Sequence, residues 1–275
     1  MFSVPVDGAR RLPFDRHLGH PVHSQQTGKT QIPSKWDLRR FLERYSCLRS
    51  IRLCGVASRP CDHWLCPRCS PKRQRAYRRT LQQALSGQAP KTVISWTSTV
   101  ASRPGRPLGK VWTELESLTR HMTSGNWLNA RVDGFVRMTE ITHSEQGGWH
   151  PHHHWLLISR TEFTPEQVNA LRSQVLERYL RRADLAGIHA DEAGQIFQSV
   201  PVSDLGKLLG YITKQHTQRG DPTAADGRAP GDLLAAAYAG DVDAMDLWQE
   251  LEQASFRRIT RTVAGALRKK PKSRA

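Results

Sequence analysis

The sequence predicts an α+β protein built on an antiparallel sheet. Three observations lead there. Runs of β-branched and aromatic residues alternate with stretches of helical periodicity. Two of those runs flank the turn-forming stretch SEQGGW at 144–149, which is how a hairpin reads. The 275 residues are 38% hydrophobic and include eight tryptophans, enough to pack a core in one or two domains.

Residues 1–43 carry Pro, Gly, His and scattered charge with no period, and read as a flexible arm. Residues 44–85 form a cysteine-rich segment running into a basic helix at 71–85. A domain at 90–218 opens with the strand VISWTST (93–99). Val111, Leu115, Leu118 and Met122 then recur at helical spacing. FVRMTEIT (135–142) is a second strand and HHHWLLI (152–158) a third, paired as the hairpin. Thr164, Pro165 and Gln167 make a helix start with a capping box, and Val168, Leu171, Val175 and Tyr179 form its buried stripe. A short strand is expected at 195–202 and a helix capped by Asp204 at 204–216. After a loop at 219–230, helices are expected at 232–239 and 242–259. The region 219–275 ends in a basic tail, with eight basic residues and no acid over 256–275.

Lys plus Arg number 41 and Asp plus Glu 25, a net charge of +16. No run of 18 apolar residues exists and residues 1–11 lack the core of a signal peptide, so no membrane partner and a cytoplasmic location are expected. The charge points to a polyanion, with nucleic acid as the default.

All five cysteines, Cys47, Cys54, Cys61, Cys66 and Cys69, lie within 23 residues. An odd, clustered set does not suit a disulfide framework but does suit tetrahedral zinc. The knuckle Cys66-Pro-Arg-Cys69 with Cys54 and Cys61 is the preferred ligand set, and Cys47 and His63 are the alternates. The segment 44–79 holds ten basic residues and one acid, Asp62, so Arg68, Lys72 and Arg73 are placed against phosphate.

In a strand, His150, His152 and His154 share one face and His153 takes the other. Two imidazoles at i and i+2 can hold one divalent ion, and Glu140 on the neighbouring strand is the nearest carboxylate. On the helix at 204–216, Lys207, Tyr211 and Lys214 share a face, so a phenol sits between two ammonium groups that would favour phenolate and hold a phosphate.

These residues resemble a known family: the rolling-circle plasmid replication initiators, Rep proteins of the HUH endonuclease superfamily with an N-terminal zinc module. The resemblance is carried by VISWTSTV (93–100, with Thr97 and Thr99), RMTEIT (137–142), WHPHHHWLLI (149–158) and YITK (211–214), in the family's order. CDHWLCPRC (61–69) is similar to the zinc module, and DLL, LWQELEQAS and RRITRT resemble the C-terminal region, so the similarity runs from about 45 to about 270. It implies an antiparallel HUH domain between a zinc module and a helical basic tail. It implies that His152, His154 and Glu140 hold Mg²⁺ or Mn²⁺, and that Zn²⁺ is structural. Tyr211 then attacks a phosphate, leaving a 5′-phosphotyrosine and a free 3′-hydroxyl, with Lys214 positioning the phosphate. The implied partners are the plasmid double-strand origin, single-stranded DNA, and a host helicase and polymerase in the bacterial cytoplasm, with Lys207 among the DNA contacts.

The sequence departs from the family twice. His153 stands where a bulky apolar residue is usual. Lys207 stands where some relatives carry a water-activating glutamate, so ending the cycle calls for another base, a second tyrosine or a different scheme, with Asp204, on the same face, as a candidate base. Two alternatives are an HUH transposase and a non-catalytic zinc-containing DNA-binding regulator. The single tyrosine, with Lys at 207 and Gln at 215, favours replication over transposition.

Overall fold

A computed structural model describes residues 33–55, 60–213 and 227–268. Lys214, most of the expected arm, the first part of the 219–230 loop and the end of the basic tail lie outside the described residues.

The chain opens with helix α1 (Lys35–Tyr45), followed by the single turn α2 (Arg49–Arg52) and the long helix α3 (Ser70–Gln88). The last part of the expected arm is therefore helical. The physical reason is local: Ser34 and Asp37 form a reciprocal capping box, and Leu42 is buried against later helices. Strand β1 (Thr92–Thr99) leads to helix α4 (Leu108–Thr123), then to the hairpin of β2 (Gly134–Ser144) and β3 (Gly148–Ser159). Helix α5 (Pro165–Leu185) starts at the Thr164/Gln167 capping box. Strand β4 (Ile196–Ser199), helix α6 (Leu205–Ile212), helices α7 (Pro230–Tyr238) and α8 (Val242–Ser255), and strand β5 (Arg261–Gly265) complete it.

The five strands form one antiparallel sheet in the order β4-β1-β3-β2-β5. The fold class is thus α+β on an antiparallel sheet. Strand β5 corrects the expectation of a tail: residues 261–265 pair with Met138 to Gly134 of β2 and close that edge. Helix α8 also stops at Ser255, four residues short of its expected end.

Period-2 alternation divides the sheet's side chains between two cores. One face turns Ile94, Trp96, Phe135, Trp155 and Leu157 towards α4 and α5, with Trp96 and Trp155 stacked at 5.0 Å between ring centroids. The other turns Val93, Val136, Met138, Leu156 and Ile158 towards Leu81 and Leu85 of α3 and Leu209 and Ile212 of α6. A third cluster joins α1, α2, α7 and α8 to Leu108 and Trp112 of α4 and to Ile141 and Trp149 near the hairpin turn. Helices before and after the sheet therefore share a core.

Candidate functional site

The register of the central strands builds the first site. Glu140 of β2 lies opposite His152 of β3, and Thr97 of β1 lies opposite His154. Side chains at 152 and 154 point to the α3/α6 face, one residue pair beyond the apolar patch that fixes the sheet there. Both Nε2 atoms converge on one carboxylate oxygen of Glu140, His152 at 3.1 Å and His154 at 2.7 Å. The Thr97 hydroxyl lies 3.2 Å from Nδ1 of His154, which turns Nε2 towards the carboxylate. The three ligand atoms lie within 4.8 Å of one another. A carboxylate oxygen and two imidazole nitrogens on adjacent strands suit a first-row divalent ion that keeps positions open for substrate. Burial works against the Glu140 charge, yet the hydrogen bonds and charge of His152 and His154 outweigh it and hold the carboxyl well below the usual range. His150 is exposed and stays outside this group. His153 is fully buried on the opposite face, between the Thr139 hydroxyl (3.1 Å) and the Arg137 guanidinium (3.3 Å), and burial pushes its pKa well down.

Tyr211 comes to the same place from α6. Leu209 and Ile212 bury one side of this helix on the sheet, and Tyr211 remains 49% exposed on another. Its ring meets that of His154 edge-on, with centroids 5.4 Å apart. Lys207, one turn earlier, is 85% exposed and pairs with Asp204 at 2.8 Å. Asp204 occupies the helix start but its carboxylate makes no cap bond, contrary to the expected capping role.

The second site is made of sulfur. The Sγ atoms of Cys54, Cys61, Cys66 and Cys69 form one group, with separations of 3.4 Å (Cys54–Cys69), 3.7 Å (Cys54–Cys66) and 3.8 Å (Cys61–Cys69). A tetrahedron with metal–sulfur bonds of about 2.3 Å has edges of about 3.8 Å, so the donor set and its spacing fit zinc. Among the five cysteines none is in a disulfide. A hydrogen bond with Cys61, helped by the backbone N–H groups of Cys69 and Arg68, outweighs burial and lowers the Cys66 thiol to about 5, favouring thiolate. Both alternates fall outside the group. Cys47 is exposed and its sulfur faces the Gln249 carbonyl at 3.9 Å, while Nδ1 of His63 accepts the Leu65 N–H at 3.2 Å.

Helix α3 joins the two sites. Its first turn follows Cys69, and its far half lies on the sheet through Leu81 and Leu85. Arg68 and Lys72 are exposed and Arg73 half-buried at its start. Arg78 was not singled out from the sequence, yet its guanidinium lies against Gly210, the residue before Tyr211: a Cβ there would meet it at 3.4–3.6 Å. The sequence signal was a glycine inside a helix, a position that costs about 1 kcal/mol relative to alanine and so asks for a packing reason. Arg261 of β5 similarly covers the Tyr77 ring at 4.6 Å.

An antiparallel sheet bearing two histidines and a carboxylate on its central strands, flanked by helices, has the architecture of an HUH domain. Residues 55–181 match the Rep_1 family model, described as "Replication protein", so this stretch of the chain is similar to that family. The match takes in three of the four clustered cysteines, Glu140 and both histidines, and ends before Tyr211. No curated protein and no solved structure matched the chain. Among the described residues, no helix is long and apolar enough to cross a membrane.

Proposed function

We propose that this protein starts rolling-circle replication by nicking one strand of its plasmid origin and later rejoining it, with Tyr211 as the nucleophile. The observation that carries this reading is the edge contact of Tyr211 with His154, whose Nε2 shares a Glu140 oxygen with His152.

Glu140, His152 and His154 would hold Mg²⁺ or Mn²⁺, which when bound draws charge from the non-bridging oxygens of the scissile phosphate. Tyr211 loses its phenolic proton and its oxygen forms a bond to phosphorus. The bond from phosphorus to the 3′ oxygen breaks, and that oxygen leaves as a hydroxyl once protonated. The phosphodiester becomes a 5′-phosphotyrosyl ester, so rejoining by a 3′-hydroxyl needs no nucleotide hydrolysis. Half-exposure lets Tyr211 reach a strand, and the Arg78 guanidinium beside Gly210 supplies positive charge at the same helix turn. Lys214 is assigned the same phosphate-positioning role. Arg68, Lys72, Arg73 and Lys207 are assigned to the DNA backbone. Asp204, held by Lys207, is the candidate base for the water or hydroxyl that ends the cycle. Zn²⁺ on the four cysteines would anchor α3. Host helicase and polymerase then extend the free 3′-hydroxyl.

The test is a labelled single-stranded oligonucleotide from the plasmid's own origin, incubated with Mn²⁺. Wild type should form a covalent protein–DNA adduct and Tyr211→Phe none, with thermal melting of both proteins measured alongside to show that the variant is folded. An adduct that survives Tyr211→Phe removes Tyr211 from this role. A Tyr211→Phe protein retaining every activity favours the non-catalytic regulator.

A further inference from the structure

On the sheet face opposite His152 and His154, a half-open cavity of about 450 Å³ lies between the end of α4, the segment that follows it and the C-terminal half of α5. Four guanidiniums line it, Arg131, Arg178, Arg181 and Arg182, against one carboxylate, Glu177. Trp127 fixes two of them by cation–π contact, Arg131 at 4.0 Å and Arg178 at 4.8 Å from its ring centroid. Hydrogen bonds lock the same two further. Arg131 donates to Oε1 of Gln174 (2.8 Å) and to the Trp127 carbonyl (2.9 Å), and Arg178 donates to the His121 carbonyl (3.0 Å). Nε of Arg178 is buried and finds no partner among the described residues. None of the four arginines has an ion pair among the described residues, whereas Arg172 on the same helix is paired with Glu192 at 2.5 Å. Arg181 and Arg182 stand exposed at the rim.

Four like charges held together without carboxylate partners repel one another, and aromatic clamping keeps their donors where they are. Such an arrangement fits successive phosphates, since planar guanidiniums pair with phosphate oxygens through two parallel hydrogen bonds. We propose that this cavity is a second DNA-contact site, taking the backbone of duplex that flanks the nick while the cleaved strand lies at Tyr211. This rests on the proposed action on DNA. The net charge of +16 and the position of the cavity across the sheet from the nicking residues favour a long polyanion over a small one.

Backbone neutralisation makes log affinity fall with log salt at about 0.9 per phosphate contact on duplex. The experiment measures binding of the full chain to a generic duplex and to a short single strand across a salt series. Arg181→Gln/Arg182→Gln is the main variant, because both side chains are exposed. Its duplex slope should become shallower by about 1.8, with duplex affinity down about 60-fold at 0.1 M salt if the two lines meet near 1 M. Short-strand binding and melting temperature should match wild type, and Arg181→Lys/Arg182→Lys should recover the slope. Arg178→Gln gives a second, independent reading of the cavity.

An unchanged duplex slope in both the double variant and Arg178→Gln overturns the inference and leaves the nicking proposal standing. Equal losses on duplex and short strand also overturn it, since the cavity would then not act separately. A wild-type protein that binds neither DNA overturns this inference and the proposed function together.

Discussion

The hydroxyl of Thr97 holds Nδ1 of His154, and so decides that Nε2 faces Glu140. Partners of this kind orient a ligating imidazole, and losing one typically costs 10–100-fold in metal affinity. Thr97→Val, which keeps the shape and removes the hydroxyl, should therefore weaken Mn²⁺ binding by about tenfold or more, read by calorimetry. The Cys₄ cluster should keep its metal, which separates the effect from general unfolding. At this scale Glu140, His152 and His154 were legible, because alternation along a strand and one hairpin register are local properties. Thr97 stood out only through the resemblance of VISWTSTV, and its contact with His154, which spans 57 residues, left no local pattern. His153 shows the same limit: its side of the strand could be read, but not that Arg137 and Thr139 would satisfy a buried imidazole.

Among the elements, β5 was missed. Five residues within an arginine-rich stretch are too few for a periodicity, and the strand exists because β2 offers an edge to pair with. Gly265 ends it with φ of +64°, and a Cβ there would lie 2.3 Å from the Asp133 carbonyl oxygen. Gly265→Ala combines left-handed backbone with a backbone clash. It should cost about 1–3 kcal/mol, seen as a lower midpoint in urea and faster amide exchange in β5 than in β3. An unchanged midpoint would mean that β5 can detach freely. By contrast the α5 start was legible to the residue, because a capping box is complete within four positions. Helix α1 had the same device in Ser34 and Asp37, but lay in a segment whose composition masked it.

At the scale of the whole molecule, α3 ties the sulfur cluster to the sheet face that carries Glu140, His152 and His154. Metal analysis should find about one zinc per chain, retained in His152→Ala/His154→Ala and lost in Cys66→Ala. Binding of a structural ion to the folded state alone is itself folding free energy, so chelation should lower the melting temperature. It should also weaken strand binding, because Arg78 reaches Gly210 only while α3 is docked. Zinc that leaves with the histidines would contradict two separate sites.

By itself the sequence determined the alternating strands, the hairpin, the paired histidines, the cysteine knuckle and the excess of positive charge. All of these depend on residue types within a few positions of one another, where backbone geometry dictates which side chains share a face. Only the tertiary structure decided which four of the candidate ligands meet, that Arg78 stands beside Tyr211, that β5 closes the sheet, and that four arginines gather around Trp127. Those outcomes rest on contacts between distant segments. They are set by how helices and sheet pack once loop-closure entropy has been overcome, and no local pattern encodes that packing.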